Sequence, residues 1–97
     1  MTLNSVKVND IVTLVTHTGE IVGRLTAVEG DVLTLADPRL FVSQADGSGL
    51  APGICMTGEM NPKSADFFVG SVVAVLPTAS ELQSAWQQAT SGLVIPS

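Results

Sequence analysis

Residues 18–40, TGEIVGRLTAVEGDVLTLADPRL, and residues 66–76, DFFVGSVVAVL, decide the fold of this chain. The first stretch holds two apolar, β-branched runs that meet at the turn signal EGD over residues 29–31. The second holds two more strand-like runs, hinged at Gly70 and without a charge after its first residue. Short strands with glycines at their bends build a small, strongly curved sheet. Because such a sheet leaves apolar edges open, the pattern also predicts a partner chain.

The other strands and their breaks follow from local composition. A run that is apolar except for its threonines predicts the first strand over residues 11–16, and the second is predicted over 20–28. The third is predicted over 31–35 and can resume over 39–42. Pro38 removes a ladder donor between them, so it must lie at a sheet edge or a bulge. The two runs of the second stretch bring the predicted total to five strands.

The second predicted strand alternates in a way that assigns its two faces. Ile21, Gly23, Leu25 and Ala27 form a face that is wholly apolar or glycine, whereas the opposite face is mixed. Gly23 lowers the strand propensity, and the usual reason for a glycine in mid-strand is a bend or a close approach of two backbones. We therefore expect one of these at Gly23.

Residues 43–65 form a long segment, rich in glycine and proline, that precedes the last strands. Connections longer than about 12–15 residues without secondary structure of their own are uncommon in compact domains. Two interpretations stay open: a short strand around residues 54–56, which we favour, or a functional excursion.

The carboxyl-terminal region predicts a helix over residues 80–89. The run from Thr78 to Glu81 fits a capping box, in which the threonine oxygen accepts a bond from a free amide and Glu81 reaches back. Gly92 is expected to end the helix, and the apolar tail over 93–96 to dock on its own barrel or on a neighbour. The predicted apolar stripe, with Trp86 as a core anchor, consists of Leu82, Ala85, Trp86 and Ala89.

Length and composition bound the class of protein. The chain has 97 residues, which predicts a single domain, with the barrel over about residues 8–77 and the helix and tail over 78–97. Hydrophobic residues make up 45% and charged residues 13%, so we expect a buried interface with copies of the same chain. No apolar run reaches the roughly 18 residues that span a bilayer, and a secretion signal is not evident. We therefore expect a soluble cytoplasmic protein without a membrane partner.

Charge and chemistry exclude several classes of function. Four basic against nine acidic residues give a net charge of −5, which counts against broad binding to phosphates. The single cysteine, Cys55, cannot form an internal disulfide, and one histidine leaves no zinc site, so we expect Cys55 as a small buried residue. No nucleophile–base pair, carboxylate pair or phosphate-binding loop stands out. We expect no metal, no cofactor and no enzymatic activity.

The chain resembles the Sm/LSm family, to which the Hfq-like ring proteins belong. Residues 23–25, the acidic turn at 29–31 and residues 33–35 look like the family's first motif, and residues 69–73 look like its second. The Pro-Arg pair at 38–39 and the terminal helix are similar to a divergent Sm-like group from marine viral and metagenomic sequence. The resemblance implies a strongly bent, five-stranded, SH3-like barrel in a homomeric ring of about five to seven copies. In such a ring, the fourth strand of one subunit pairs with the fifth of the next.

The resemblance also implies that single-stranded nucleic acid, RNA above all, binds at loops facing the pore of the ring. The alternative is a viral structural or assembly role, with the ring as a scaffold in an infected host, and the acidic charge favours it. Cations clustered at the pore would support RNA binding, whereas we expect Arg24 and Arg39 to pair with acids across subunit joints. An ordinary turn role stays open for the histidine and the aspartate among the candidates. The candidate nucleic-acid-binding residues are His17, Glu29, Gly30, Asp31, Val69, Gly70 and Ser71.

Overall fold

The computed structural model describes residues 3–91, which form an antiparallel six-stranded sheet followed by a helix. The elements are β1 (Ile11–Thr16), β2 (Gly19–Glu29), β3 (Val32–Gln44), β4 (Gly47–Leu50), β5 (Ser64–Phe68), a 3₁₀ turn (Val69–Ser71), β6 (Val72–Pro77) and α1 (Ser80–Thr90). The order across the sheet is β4-β3-β2-β1-β6, and β5 lies beside β3. A mostly β architecture with a carboxyl-terminal helix, as predicted, is confirmed.

The prediction of five strands was wrong because the segment over 43–65 contributes a strand that its composition hides. β4 forms a hairpin with the end of β3, from the pair Phe41–Leu50 to the pair Gln44–Gly47. The expected short strand around residues 54–56 does not form. That part of the chain is instead a loop.

The described sheet is open. β5 pairs with β3 alone and β6 with β1 alone, so no strand pairing within residues 3–91 closes the sheet on itself. The structure therefore differs from the predicted five-stranded barrel in both strand number and closure. The bend predicted at Gly70 is present, since the 3₁₀ turn separates β5 from β6. Because the sheet is open, β5 and β6 each have one edge without a strand partner in the described residues.

β3 passes without interruption through the point where the third strand was expected to halt. Its pairing with β2 skips Asp37 and Pro38 opposite Gly23, and Asp37 has a φ of 49°. This is a bulge, so the predicted position of Pro38 is confirmed. A Cβ on Gly23 would lie 3.1 Å from the Ala36 carbonyl oxygen and from the Leu35 side chain. The expected close approach of two backbones is therefore also confirmed.

The hydrophobic core lies on one face of the sheet. Ile21 and Leu25, on the predicted apolar face of β2, are buried, but Val22 on the opposite face is buried as well. A register shift follows Leu25, and Val28, from the face predicted to be mixed, packs against the core. The segment before β1 contributes Val6, which is also buried. The core consists of Val6, Val12, Leu14, Ile21, Leu25, Leu33 and Leu35.

Helix α1 confirms the predicted helix but not its capping box. Ala79 is the N-cap, and no side chain caps the first turn. The Thr78 and Thr13 hydroxyls instead share a hydrogen bond of 2.8 Å, which ties the end of β6 to β1. The Thr78 carbonyl oxygen also accepts a bond from the Gln83 side-chain amide at 2.8 Å. The Thr78 hydroxyl is thus engaged by a distant strand and does not cap the first-turn amides of α1.

The buried face of α1 is narrower than the predicted stripe. Trp86 is 1% exposed and Leu82 is half-buried, as expected, but Ala85 and Ala89 are exposed. The predicted helix stop at Gly92 and the apolar tail lie outside the described residues. Among residues 3–91, no helix has the length and apolar character needed to cross a membrane.

Candidate functional site

The candidate residues lie in three loops, and two of these loops, over residues 29–31 and 69–71, touch each other. The Val69 amide donates to the Asp31 carbonyl oxygen at 2.9 Å, which joins the β2–β3 turn to the 3₁₀ turn. The Ser71 hydroxyl donates to the Phe68 carbonyl oxygen at 2.8 Å and so stabilises the 3₁₀ turn itself. Residues 29–31 are all exposed. The candidate residues of these two loops therefore form one continuous surface.

His17, the third part of the predicted site, approaches the 3₁₀ turn from the β1–β2 turn. It lines a cavity of about 210 Å³ together with Phe67, Ser71 and Cys55. No hydrogen bond in the described part of the chain links His17 to the turn over 29–31. The predicted set thus lies in two adjoining pieces rather than one cluster.

Cys55 is exposed, so the expectation of a small buried residue was wrong. The loop that carries it is closed at its base by a hydrogen bond of 2.6 Å from the Asn61 amide to the Pro52 carbonyl oxygen. Within this loop Ile54 packs against the core, whereas Cys55 and Met56 remain exposed.

The charge at the predicted loops is negative. Glu29 and Asp31 are exposed there, and Asp66 on the neighbouring β5 accepts a bond of 2.8 Å from the Thr34 hydroxyl. None of the four cations belongs to these loops. Since affinity for nucleic-acid phosphates depends on lysine and arginine, this surface has no electrostatic attraction for a nucleic-acid backbone.

Gly70 is not required by the packing of its own chain. It is exposed, its φ lies outside the left-handed region, and a Cβ built on it would meet no atom within 4 Å in the described structure. Gly30 differs, because its φ of 56° is a conformation that glycine adopts most readily. Gly30 therefore shapes the β2–β3 turn, whereas any need for glycine at position 70 must come from outside the subunit.

Both arginines lie on the face of the sheet near α1. Arg39 is paired across the strands with Val22, and Arg24 follows Val22 by two residues, so the two side chains share a face. Arg39 is 4% exposed, and its Nη1 donates to the Pro38 carbonyl oxygen at 2.9 Å. The cations therefore do not cluster at the predicted pore loops.

Arg24 lies over Trp86, with its guanidinium carbon 5.6 Å from the centre of the ring. The indole N–H of Trp86 donates to the Asp37 carbonyl oxygen at 2.8 Å, and the Thr90 hydroxyl donates to the Trp86 carbonyl oxygen at 2.8 Å. A depression of about 350 Å³ opens beside this pair. Sequence reasoning identified Trp86 as an anchor but missed Arg24, because no local spacing connects residues so far apart in the chain. The depression is lined by Arg24, Asp37, Trp86, Gln87, Thr90 and Ser91.

Within residues 3–91, no group of three or more histidine, cysteine, aspartate or glutamate side chains is placed to hold a metal ion. In comparisons of the chain with known proteins, no family profile matched and no curated protein matched.

Proposed function

We propose that the protein is a structural building block that forms a homomeric, Sm-like ring by strand pairing. The open edge of β5 in one copy pairs with the open edge of β6 in the next. The single observation that carries this proposal is the apolar character of those two edge strands. Phe68 on β5 is 66% exposed, and on β6 Val73 and Leu76 are 63% and 43% exposed.

A strand at the edge of a sheet that exposes apolar side chains readily pairs with a strand of another chain. The free N–H and C=O groups of the edge strand act as a template for another strand, and proteins usually protect such edges with charges, proline or a covering element. From Phe67 to Leu76 this chain carries no charge and no proline, so the protection of the two strands is limited to Asp66 on β5 and to Pro77 at the end of β6. Pairing between copies satisfies the backbone groups and removes the apolar side chains from water together.

The use of two different edges favours a ring. A contact between β5 and β6 is heterologous, so it repeats from copy to copy and either closes into a ring or continues as a filament. The bend at the 3₁₀ turn between β5 and β6 separates the two edges, and the resemblance to ring-forming Sm-like proteins favours closure. In this proposal the strands other than β4 form the bent barrel of each subunit, and β4 is an added hairpin strand.

Light scattering on the purified protein at micromolar concentration tests this proposal. We expect a mass of about five to seven subunits. Phe68→Glu places a charge on the β5 edge and should yield monomers, whereas Met56→Glu should not. Met56 is a matched control because it is 95% exposed and lies on no strand. A monomeric wild-type protein would contradict the proposal.

A second candidate function is the binding of single-stranded RNA by the same ring at its loops. The contact between Val69 and Asp31 favours it, since it combines two of the predicted recognition loops into one surface. Because these loops lack cations, affinity should be modest and should fall weakly with salt. Asp31→Ala should weaken the binding of labelled RNA homopolymers in fluorescence anisotropy, and Asp46→Ala, which removes an exposed acid from the β3–β4 turn, should not.

A further inference from the structure

We propose that the depression beside Arg24 and Trp86 binds one unstacked nucleobase of a single-stranded nucleic acid. This inference rests on the second candidate function, but it moves base recognition away from the predicted loops. The site lies where α1 crosses the bulge of β3. It contains one of the chain's four cations, which the loops lack.

Arg24 provides the stacking surface. Its guanidinium lies over the Trp86 ring at 5.6 Å, and within residues 3–91 its side chain has no other polar partner. Arg24 is exposed, so part of its side chain is accessible to a ligand. Bases in single-stranded nucleic acids stack on arginine planes as they do on aromatic rings. Trp86 itself is buried and therefore supports the arginine without touching the base.

The support under Arg24 is rigid. Trp86 is fixed at its indole N–H by Asp37 and at its main-chain carbonyl by Thr90, at 2.8 Å in each case. The bulge that presents the Asp37 carbonyl is itself held by a bond of 2.9 Å from the Asp37 amide to the Lys63 carbonyl oxygen. A surface ordered before binding loses little conformational entropy when the ligand arrives.

The rim of the depression matches a base better than a phosphate. Asp37 is among the lining residues, and the negative charge of its carboxylate so close to the depression disfavours an oxyanion. The Gln87 amide both donates and accepts, and Thr90 can still accept at its hydroxyl oxygen. The volume of about 350 Å³ falls within the range of small-molecule sites and is large enough for one base. A planar, uncharged group with donors and acceptors on its edge meets all of these requirements.

Titration of labelled RNA homopolymers, followed by anisotropy and by intrinsic fluorescence, tests this proposal. Trp86 is the only tryptophan, so its emission, excited at the red edge of tryptophan absorption, reports on this site alone. Binding should change the emission. Arg24→Ala should weaken affinity roughly tenfold or more, as expected for the loss of one stacked base. Arg24→Lys should weaken it similarly because an ammonium keeps the charge but not the plane. Lys7→Ala, which removes an exposed cation of the amino-terminal segment that does not line the depression, should have little effect.

Several results would overturn the proposal. Equal losses in Arg24→Ala and Lys7→Ala would mean that charge alone matters, and an emission change produced by inorganic phosphate would mean an oxyanion site. Binding that depends on Asp31 but not on Arg24 would refute this site and leave the second candidate function standing. Absence of RNA binding would refute both, while the mass from light scattering would still test the ring. Both Arg24 variants should have the circular dichroism spectrum and the mass of the wild-type protein, which excludes misfolding as the cause of a loss of affinity.

Discussion

Trp86 donates its indole N–H to the main-chain carbonyl oxygen of Asp37 at 2.8 Å, across 49 positions of the chain. The bulge in β3 makes this possible, because at a φ of 49° Asp37 leaves the regular ladder. Proline at position 38 cannot donate to the ladder, so the sheet loses no additional bond there. One irregularity thus accommodates the proline and fixes the helix to the sheet.

Substitution of Trp86 should separate the effect of this bond from that of burial. Trp86→Ala should lower the free energy of unfolding by about 3–5 kcal/mol, because it removes a large buried side chain. Trp86→Phe retains most of the ring but leaves the Asp37 carbonyl without its partner, so we expect a loss of about 1–3 kcal/mol. Urea unfolding gives both values, with Ser84→Ala on the exposed face of α1 as control. A fully stable Trp86→Phe variant would show that the bond contributes nothing.

Gly23 should tolerate no side chain. In Gly23→Ala the new Cβ would lie 3.1 Å from backbone and side-chain atoms of β3. Relief of that contact requires a shift of the paired strand, so the free energy of unfolding should fall by about 1–3 kcal/mol. Gly49→Ala is the matched control, since Gly49 is also a strand glycine but has open space around it. Equal stability of the two variants would disprove the close approach.

The parts of this fold that sequence predicted are those encoded locally. Alternation and β-branched residues define β1 and β2, and Gly70 marks the bend between β5 and β6. β4, with the sequence GSGL, has almost no strand propensity of its own. It forms because β3 offers an open edge over its last four residues, which is tertiary information. The capping box failed for a similar reason, as Thr78 bonds to Thr13 on a distant strand.

The candidate site likewise has a part that could be predicted from the sequence and a part that depends on tertiary packing. The resemblance to the Sm/LSm family selected the loops over 29–31 and 69–71, and their contact follows from the pairing of β5 with β3. The packing of Arg24 on Trp86 depends on where α1 crosses the sheet, which no local spacing in the sequence specifies. Exposure of Cys55 was missed because its apolar neighbours predicted a strand, whereas the segment forms a closed loop.

Val73→Pro should dissociate the ring and leave the subunit folded. The register between β6 and β1 shifts so that Val72 and Ala74 are paired while Val73 is skipped. Proline at this position therefore spares the pairing with β1 but removes a donor that a neighbouring copy could use. Light scattering should show monomers, and circular dichroism should keep its β signal. Val73→Ala retains the amide and should remain assembled, whereas an assembled Val73→Pro protein would rule out the β6 edge as the interface.

Gly70→Ala should leave the stability of the isolated subunit unchanged. Because a Cβ at this position meets no atom within 4 Å and its φ suits any residue, the free energy of unfolding should change by less than about 0.5 kcal/mol. The measurement requires the monomeric Phe68→Glu background, in which contacts between copies cannot contribute. A clear loss of stability there would contradict the open environment of Gly70. If Gly70→Ala does not change the stability of the Phe68→Glu monomer but does dissociate the protein that carries Gly70→Ala alone, another copy must contact position 70.

Arg39 offers the sharpest test of whether a buried cation serves the subunit or the assembly. It is 4% exposed, and its side chain makes one hydrogen bond, to the Pro38 carbonyl oxygen, with no acid paired to it within residues 3–91. Replacing a buried charge by an apolar side chain of similar volume is often neutral or stabilising by about 1–4 kcal/mol. Arg39→Met should therefore preserve or raise the free energy of unfolding of the monomeric Phe68→Glu variant, as measured in urea. Because the Arg39 side chain is buried within its own subunit, the same substitution should leave the subunit count in light scattering unchanged, and a lower count would show that a neighbouring copy uses it. A destabilised monomer would instead show that the guanidinium serves its own fold.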